Sequence, residues 1–288
     1  MKLPAFDYAC PATLAEALAL LASRDDAKAL AGGQSLVPMM AFRIASPSLL
    51  VDLRRLSDLR KIAIDTSGVR LGAMVRWRDI EDDARLNGAH PLLKAAVSHV
   101  AHYQIRNRGT VGGSIAHADP AAEMPGIAVT CDADIAVTGT RGARVICADD
   151  FFIAPLMTAL AADEIITEIR LPAWPPRRRW GFREFSRRRG DFALAAAAVF
   201  FDVDDAGKAY NAHIGAIGVG DRPARLPAAE AEVNGQVVDI AISERAGRAA
   251  SASVDPQSDI HASGAYRKSL IGTMVERALQ SAAGMSAL

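Results

Sequence analysis

Two glycine pairs flanked by hydroxyl residues constrain this chain more than any other feature. Ala31-Gly32-Gly33-Gln34-Ser35 follows a short apolar run, and Thr110-Val111-Gly112-Gly113-Ser114 repeats the pattern about 75 residues later. A glycine pair lets backbone amides approach an anion without a Cβ in the way, and a neighbouring hydroxyl adds a donor. At a strand-to-helix turn the helix dipole adds positive potential. A diphosphate needs donors from more than one side, so two such turns can converge on one dinucleotide. Each is also compatible with a plain tight turn. Neither ends in the Lys-Ser or Lys-Thr of a Walker loop, and no Gly-x-Gly-x-x-Gly fingerprint occurs.

The 288 residues suggest about two domains, at roughly 150 residues each. Half are hydrophobic and 23% charged, which excludes a disordered or collagenous chain. Lysine plus arginine equals aspartate plus glutamate at 33 each, so no net field draws the protein to nucleic acid or an anionic membrane. Cys10, Cys131 and Cys147 are too few and too scattered for a disulfide framework or a cysteine-ligated iron–sulfur cluster, and they fit a reducing cytoplasm. No secretion signal is expected from Met1 to Leu21, and the longest apolar run, Phe192 to Phe201, is half of the ~20 residues that a membrane span requires.

Thr13 and Glu16 form a capping box that predicts a helix over 13–23. A strand at 27–31 then runs into the first glycine turn, and a helix follows at 36–42 with Pro38 in its first turn. Strands are expected at 49–53 and 69–71, helices at 80–86 and 92–100. The polar stretch Gln104 to Pro125 reads as a long functional loop. Strands follow at 135–137, 144–147 and 164–171. Pro172, Trp174-Pro175-Pro176 and Arg177-Arg178-Arg179 break the pattern and place a boundary near residue 175. Beyond it, strands at 180–185, 195–203 and 212–219 and helices at 238–250 and 266–283 give a three-stranded, two-helix unit. The class is α+β.

The two glycine segments, extended to Ala31–Met40 and Gln104–Pro125, resemble the signature loops of the molybdopterin-dehydrogenase flavoprotein family, the medium subunits of carbon monoxide dehydrogenase and xanthine dehydrogenase relatives. Asp7-Tyr8 with Pro11, Glu164-Ile165-Ile166, Arg188-Arg189-Gly190-Asp191-Phe192-Ala193 and Tyr266-Arg267 extend the resemblance over essentially the whole chain. It implies an FAD-binding region of two subdomains of the vanillyl-alcohol-oxidase (PCMH) type over 1–175, split near 55–60, and a small C-terminal domain over 176–288 with a three-stranded antiparallel sheet. It also implies noncovalent FAD that receives electrons from a small [2Fe-2S] subunit. That subunit takes them from a large molybdopterin subunit, and the flavin reduces an external acceptor. A dimer of heterotrimers is implied.

Carried over by motif, Ala31, Gly32, Gly33, Gln34, Ser35 and Leu36, with Thr110, Gly112, Gly113 and Ser114, would bind the diphosphate. His117, Asp119 and Glu123 would meet the ribityl chain and flavin edge. Ile165 and Ile166 would pack near the flavin or adenine, and Phe192 would lie close to the isoalloxazine ring. Relatives place a lysine near Phe182-Arg183-Glu184; this chain has none, and Arg183 is the expected substitute. Electron transfer requires no acid–base residue, so no catalytic residue is expected. The carbon monoxide enzyme has histidine where Gln34 stands, which favours a carbon or N-heterocycle hydroxylase. A self-sufficient FAD oxidoreductase and a cofactor-free scaffold are the competing readings.

Other residues read as structure. His117 and Asp119 lack a third ligand for a metal, and His102 is expected to be packed or at the surface. Met39, Met40, Met124 and Met157 read as core filling, and Cys131 and Cys147 as buried and inert. Arg177–Arg179 and Arg187–Arg189 read as a solvated face or a docking surface for an acidic partner. Gly215 to Gly220 reads as a turn.

Overall fold

The computed structural model describes residues 2–285. Its first unit comprises β1 (Asp7–Ala9), α1 (Leu14–Ala22), β2 (Lys28–Leu30), α2 (Leu36–Ala41) and β3 (Leu49–Asp52). The capping box is present: the Glu16 amide donates to Thr13 Oγ1 at 3.2 Å, and the Thr13 amide donates to Glu16 at 3.3 Å. It fixes the start of α1, whose Ala17, Leu18 and Leu21 pack on a parallel sheet ordered β1-β3-β2. Central β3 is buried along its whole length, as an apolar strand in a covered parallel sheet should be.

The second unit holds β4 (Ile62–Asp65), β5 (Gly68–Gly72), α3 (Trp77–Asp82), α4 (Leu86–Ala89), α5 (Pro91–Val97), α6 (Tyr103–Arg106), α7 (Val111–His117), α8 (Glu123–Thr130), β6 (Asp134–Gly139), β7 (Gly142–Cys147), α9 (Ala148–Phe151), β8 (Phe152–Ala154), β9 (Met157–Thr158) and β10 (Ile165–Pro172). Its antiparallel sheet runs β4-β5-β10-β6-β7, and β8 pairs with β9. Successive strand residues point to opposite faces. Ile165 therefore joins the core of the first unit and Ile166 that of the second, so the start of β10 seams the two.

The stretch 104–125, expected as a loop, is largely helical: it spans most of α6, all of α7 and the start of α8. The apolar periodicity is weak because α7 packs through its glycines. A Cβ on Gly112 would lie 2.5 Å from that of Ala73. The helix expected over 80–86 is displaced and broken into α3 and α4.

The third unit contains β11 (Arg179–Phe185), β12 (Ala195–Val203), β13 (Ala209–Ile217), β14 (Ala224–Arg225), α10 (Pro227–Val233), α11 (Ile240–Ala252) and α12 (Gly264–Ala282). Its sheet has four strands, not the expected three. The fourth, β14, is two residues long and pairs with Gly215 and Ala216, too short to leave a periodic signal. A third helix, α10, was also not expected. In β12, Ala195, Ala197, Val199 and Phe201 face the helices, while Ala196, Ala198 and Phe200 face the second unit. Small side chains let both layers approach closely. A Cβ on Gly181 would meet the Ala278 carbonyl of α12 at 2.1 Å.

Helix α8 is buried on every side and joins the second and third units. Gly126 faces Ile217, Thr130 faces Gly215, and the Gly218 amide donates to the Pro120 carbonyl at 2.9 Å. Beside α8 an aromatic column crosses the boundary: His90 to Trp174 at 4.5 Å, Trp174 to Phe200 at 5.5 Å and Phe200 to His213 at 4.4 Å between centroids. Arg178 caps it 4.3 Å from the Phe200 ring and pairs with Asp202 at 2.9 Å.

Cys131 is buried, but Cys147 is exposed, because it faces outward on the edge strand β7. Met40 and Met124 fill core, whereas Met39 is half-buried and Met157 is mostly exposed at a cavity mouth. Among the described residues no helix is long and apolar enough to cross a membrane, and no three His, Cys, Asp or Glu side chains cluster to hold a metal ion.

Candidate functional site

A cavity of about 670 Å³ opens along the seam of the first two units, with residues of the third at its rim. That volume is in the range of sites that enclose a cofactor-sized molecule. Of the residues singled out in the sequence, Ala31 to Leu36, Thr110, Gly112, Gly113, Ser114, His117, Asp119, Glu123, Ile165, Ile166 and Phe192 all line it.

The two glycine turns touch backbone to backbone. A Cβ on Gly32 would lie 2.2 Å from the Arg108 carbonyl oxygen and 2.9 Å from Gly109 Cα. Gly33 adopts φ +73°, which an L side chain rarely adopts, and this turns the chain from β2 into α2. Gln34 steadies the turn from within, donating from Nε2 to the Gly32 carbonyl at 3.0 Å.

The turns are unequal as donors. Around α7 every amide is spent on the fold. Val111 donates to the Val75 carbonyl and Gly112 to that of Ala73, both at 2.9 Å, and Ser114 to Thr110 O at 3.0 Å. Gly113 donates to Thr110 Oγ1 at 3.2 Å, the N-cap bond of the helix. In the first turn, by contrast, the amides of Gly32, Gly33, Gln34 and Ser35 donate to no acceptor among the described residues. Backbone amides are rarely left without a partner. Four in succession lining a cavity form a cradle for an anion, and the second turn contributes the free Ser114 hydroxyl instead of amides.

The charges in the wall support a neutral cradle. Lys28 is the one cation among the described lining side chains, against the carboxyl groups of Asp119, Glu123, Glu164 and Asp191. Glu164 is neutralised from outside: Arg144 grips both its oxygens at 2.8 Å, and this pair keeps its carboxyl below the ordinary range. It also accepts from the Ala161 amide at 2.8 Å, which pins the segment before β10 against the cavity. No motif marked this pair in the sequence.

At the far side His117 ends α7, and Ala118, at φ +52°, turns the chain into Asp119. Burial pushes the His117 ring below the ordinary imidazole range, against the opposing pull of Asp119. Glu123 opens α8 and is buried. Burial first, then the Glu184 carboxylate, pushes its carboxyl up to about 8.

The third unit reaches the cavity through the turn between β11 and β12. Gly190, at φ +88°, sits on Ala101 and His102, where a Cβ would meet the His102 ring at 2.5 Å. Asp191 and Phe192 follow at the rim, and Phe192 remains 61% exposed. Arg183 does not line the cavity. It pairs with Ala197, whose side packs on the third unit's helices, and its guanidinium donates to the Phe182 carbonyl at 2.9 Å. Strand alternation instead turns Phe182 and Glu184 toward the second unit. Neither Arg183 nor Glu184 lines the cavity; the Glu184 side chain is buried beside His99 of the second unit.

Leu156, Met157, Thr158 and Leu160 also form part of the wall. The first three come from the β8–β9 hairpin, where Leu156 adopts φ +58°, and Leu160 follows it. Nothing in their sequence distinguishes them from a surface turn.

Residues 4–174 match the family described as FAD binding domain in molybdopterin dehydrogenase, and residues 180–282 match the CO dehydrogenase flavoprotein C-terminal domain. The nicotine 6-hydroxylase medium subunit of Paenarthrobacter nicotinovorans is 41% identical over 279 residues, covering 97% of this chain and 98% of that one. A carbon monoxide dehydrogenase from Hydrogenophaga pseudoflava that lacks the Mo-pyranopterin moiety of its cofactor superposes with a TM-score of 0.95 at 36% identity over all of both chains. Quinoline 2-oxidoreductase from Pseudomonas putida 86 gives 0.94 at 38% identity over 99% of this chain and 100% of that one.

Proposed function

Because the chain belongs to the family of FAD-binding medium subunits of molybdenum-containing dehydrogenases, we propose that it carries electrons from the [2Fe-2S] clusters of a small partner subunit to an external acceptor. The observation that supports this most is the row of unspent amides from Gly32 to Ser35, facing a cavity large enough for a dinucleotide. FAD, when bound, supplies redox chemistry that joins single-electron iron–sulfur carriers to a two-electron acceptor.

The chain's own residues hold and shield it. The first turn neutralises the diphosphate with amide dipoles, and Ser35 and Ser114 add hydroxyl donors. His117, Asp119 and Glu123 set the hydrogen bonds of the ribityl and flavin portion. Ile165 and Ile166 supply apolar walls, and Phe192 covers the rim. No side chain acts as a catalytic acid or base. In this reading residues 1–175 form the FAD-binding region and 176–288 the domain that closes it.

In this reading the partners are a small [2Fe-2S] subunit and a large molybdopterin subunit, in a cytoplasmic dimer of heterotrimers. The substrate of the large subunit is an N-heteroaromatic or similar small molecule. The similarity to proteins named for nicotine and quinoline, and Gln34 in the first turn, support that class. Affinity purification of the tagged chain from its native host tests the proposal. Copurification of a small and a large subunit, with flavin absorption over an iron–sulfur background, is the expected result. A colourless chain, or a yellow chain without partners, overturns it.

A further inference from the structure

Of the three tryptophans, Trp77 alone lines the cavity, and it is 4% exposed. An indole N–H can only donate, and when buried it ordinarily finds an acceptor. Here it donates to no acceptor among the described residues, yet it is not one of the sealed, unpaired polar atoms, which are Arg70 Nε, Glu81 Oε2, His90 Nε2, Arg106 Nε and Glu184 Oε2. The nitrogen therefore keeps open surface, and the open space that this ring lines is the cavity.

The backbone around the ring holds it at this spot. Asp79 fixes the start of α3 by accepting from the Arg76 amide at 2.9 Å, Arg76 bridges to Thr110, and the Trp77 amide donates to the Gly109 carbonyl at 3.3 Å. The indole edge lies on Gly109, where a Cβ would sit 2.9 Å from Nε1 and 3.1 Å from Cδ1. Gly109 also meets the cradle, since a Cβ on Gly32 would come 2.9 Å from its Cα. One glycine thus separates the indole nitrogen from the row of unspent amides. The Ile105 carbonyl, 3.1 Å from the same Cβ position on Gly109, is taken by the Arg108 and Gly109 amides at 3.0 and 2.6 Å. Ile105 and Ala101 continue the wall to the third unit, where a Cβ on Gly190 would lie 2.8 Å from the Ala101 carbonyl oxygen. The indole therefore stands between the cradle and the turn that carries Phe192.

We propose that Trp77 donates its indole N–H to an acceptor on the flavin half of the bound dinucleotide, a ribityl oxygen or the edge of the ring. This inference rests on the FAD reading above. With the diphosphate on Gly32 to Ser35 and the isoalloxazine beneath Phe192, the flavin half crosses the wall between them, and Trp77 is part of that wall. The amides of Gly109, Val111, Gly112 and Gly113 all donate within the fold, so the donors on this wall come from side chains.

The test is the indole N–H region of the nitrogen–proton correlation spectrum of the full chain after the flavin is stripped, with the Trp77 cross-peak assigned by its loss in Trp77→Phe. Saturating FAD should move that cross-peak downfield in the proton dimension. ADP, which carries the adenine and the diphosphate but no flavin, should leave it within a linewidth. A cross-peak that FAD leaves in place overturns the contact, and one that ADP moves as far as FAD does gives the donor to the diphosphate and overturns the flavin half. Trp77→Phe keeps an aromatic ring without the N–H, so its FAD affinity should fall about tenfold, the worth of one hydrogen bond, while its ADP affinity stays within about twofold. FAD affinity within about twofold of the wild type overturns the proposal, as does an equal loss for both ligands. The wild-type spectrum decides the matter even where the variant does not fold. Failure of the wild type to bind FAD at all overturns the FAD reading itself.

Discussion

Gly32 and Arg108 meet so closely that a Cβ on the glycine would sit 2.2 Å from the arginine's carbonyl oxygen. The anion cradle of the first unit is thus built directly on the backbone that leads into α7 of the second. Gly32→Ala should force the two apart. We expect a loss on the order of 1–3 kcal/mol of stability, with loss of FAD, because the obstacle is backbone and cannot rotate away. Gly88→Ala, with nothing within 4 Å, is the control. Equal melting temperatures and flavin contents for the two variants would contradict the contact.

Ser114 separates binding from folding. Its hydroxyl has no partner among the described residues, while its amide is held by Thr110 O. Ser114→Ala should leave the melting temperature unchanged within about 0.5 kcal/mol and weaken FAD binding by roughly tenfold, the worth of one hydrogen bond. Isothermal titration of the stripped chain with FAD reads the second quantity. Unchanged affinity would remove Ser114 from the site.

Arg267 acts at a distance from the cavity. Buried in α12, it donates to the Leu194 and Gly218 carbonyls at 2.9 and 3.0 Å and pairs with Asp259 at 2.7 Å. Arg267→Met would orphan both carbonyls and cost on the order of 3 kcal/mol. It should also loosen the turn carrying Asp191 and Phe192, so trypsin should cut at Arg187–Arg189 faster than in the wild type. Unaltered cleavage would mean that another contact holds the turn.

The aromatic column makes the domain boundary sensitive to acid. Burial pushes the His90 imidazole down to about 3 from an ordinary 6.5. The fold favours neutral His90, so this contribution to stability is complete above about pH 6.5 and is lost as pH falls toward 3. His90 Nδ1 accepts from the Leu93 amide at 3.2 Å as an N-cap. Asparagine can accept there without titrating in this range. Denaturant unfolding from pH 7 to 4 should therefore show a shallower acid loss in His90→Asn than in the wild type. Parallel curves would place the acid sensitivity elsewhere.

The glycine turns, the capping box and the strand at 195–203 were legible because each leaves a local signature. The helical character of 104–125 was not. Its glycines replace the apolar stripe by which a helix is recognised, and α7 is held by amides donated to Ala73 and Val75, far away in sequence. The place of Arg183 was illegible for a related reason. The resemblance implied it as a cation near the cofactor, but strand register decides which side chains of β11 point inward, and it buries Phe182 and Glu184 while Arg183 lies on the opposite face, off the cavity wall. The Arg144–Glu164 pair spans 20 residues with the β8–β9 hairpin between its partners, beyond any local pattern.

The central claim is that the first turn holds a flavin dinucleotide by its diphosphate, and the identity of the flavin in the purified assembly tests it most directly. Acid denaturation should release a noncovalent chromophore whose mass is that of FAD, at one per chain. Release of FMN, which lacks the diphosphate, or of no flavin at all would contradict it.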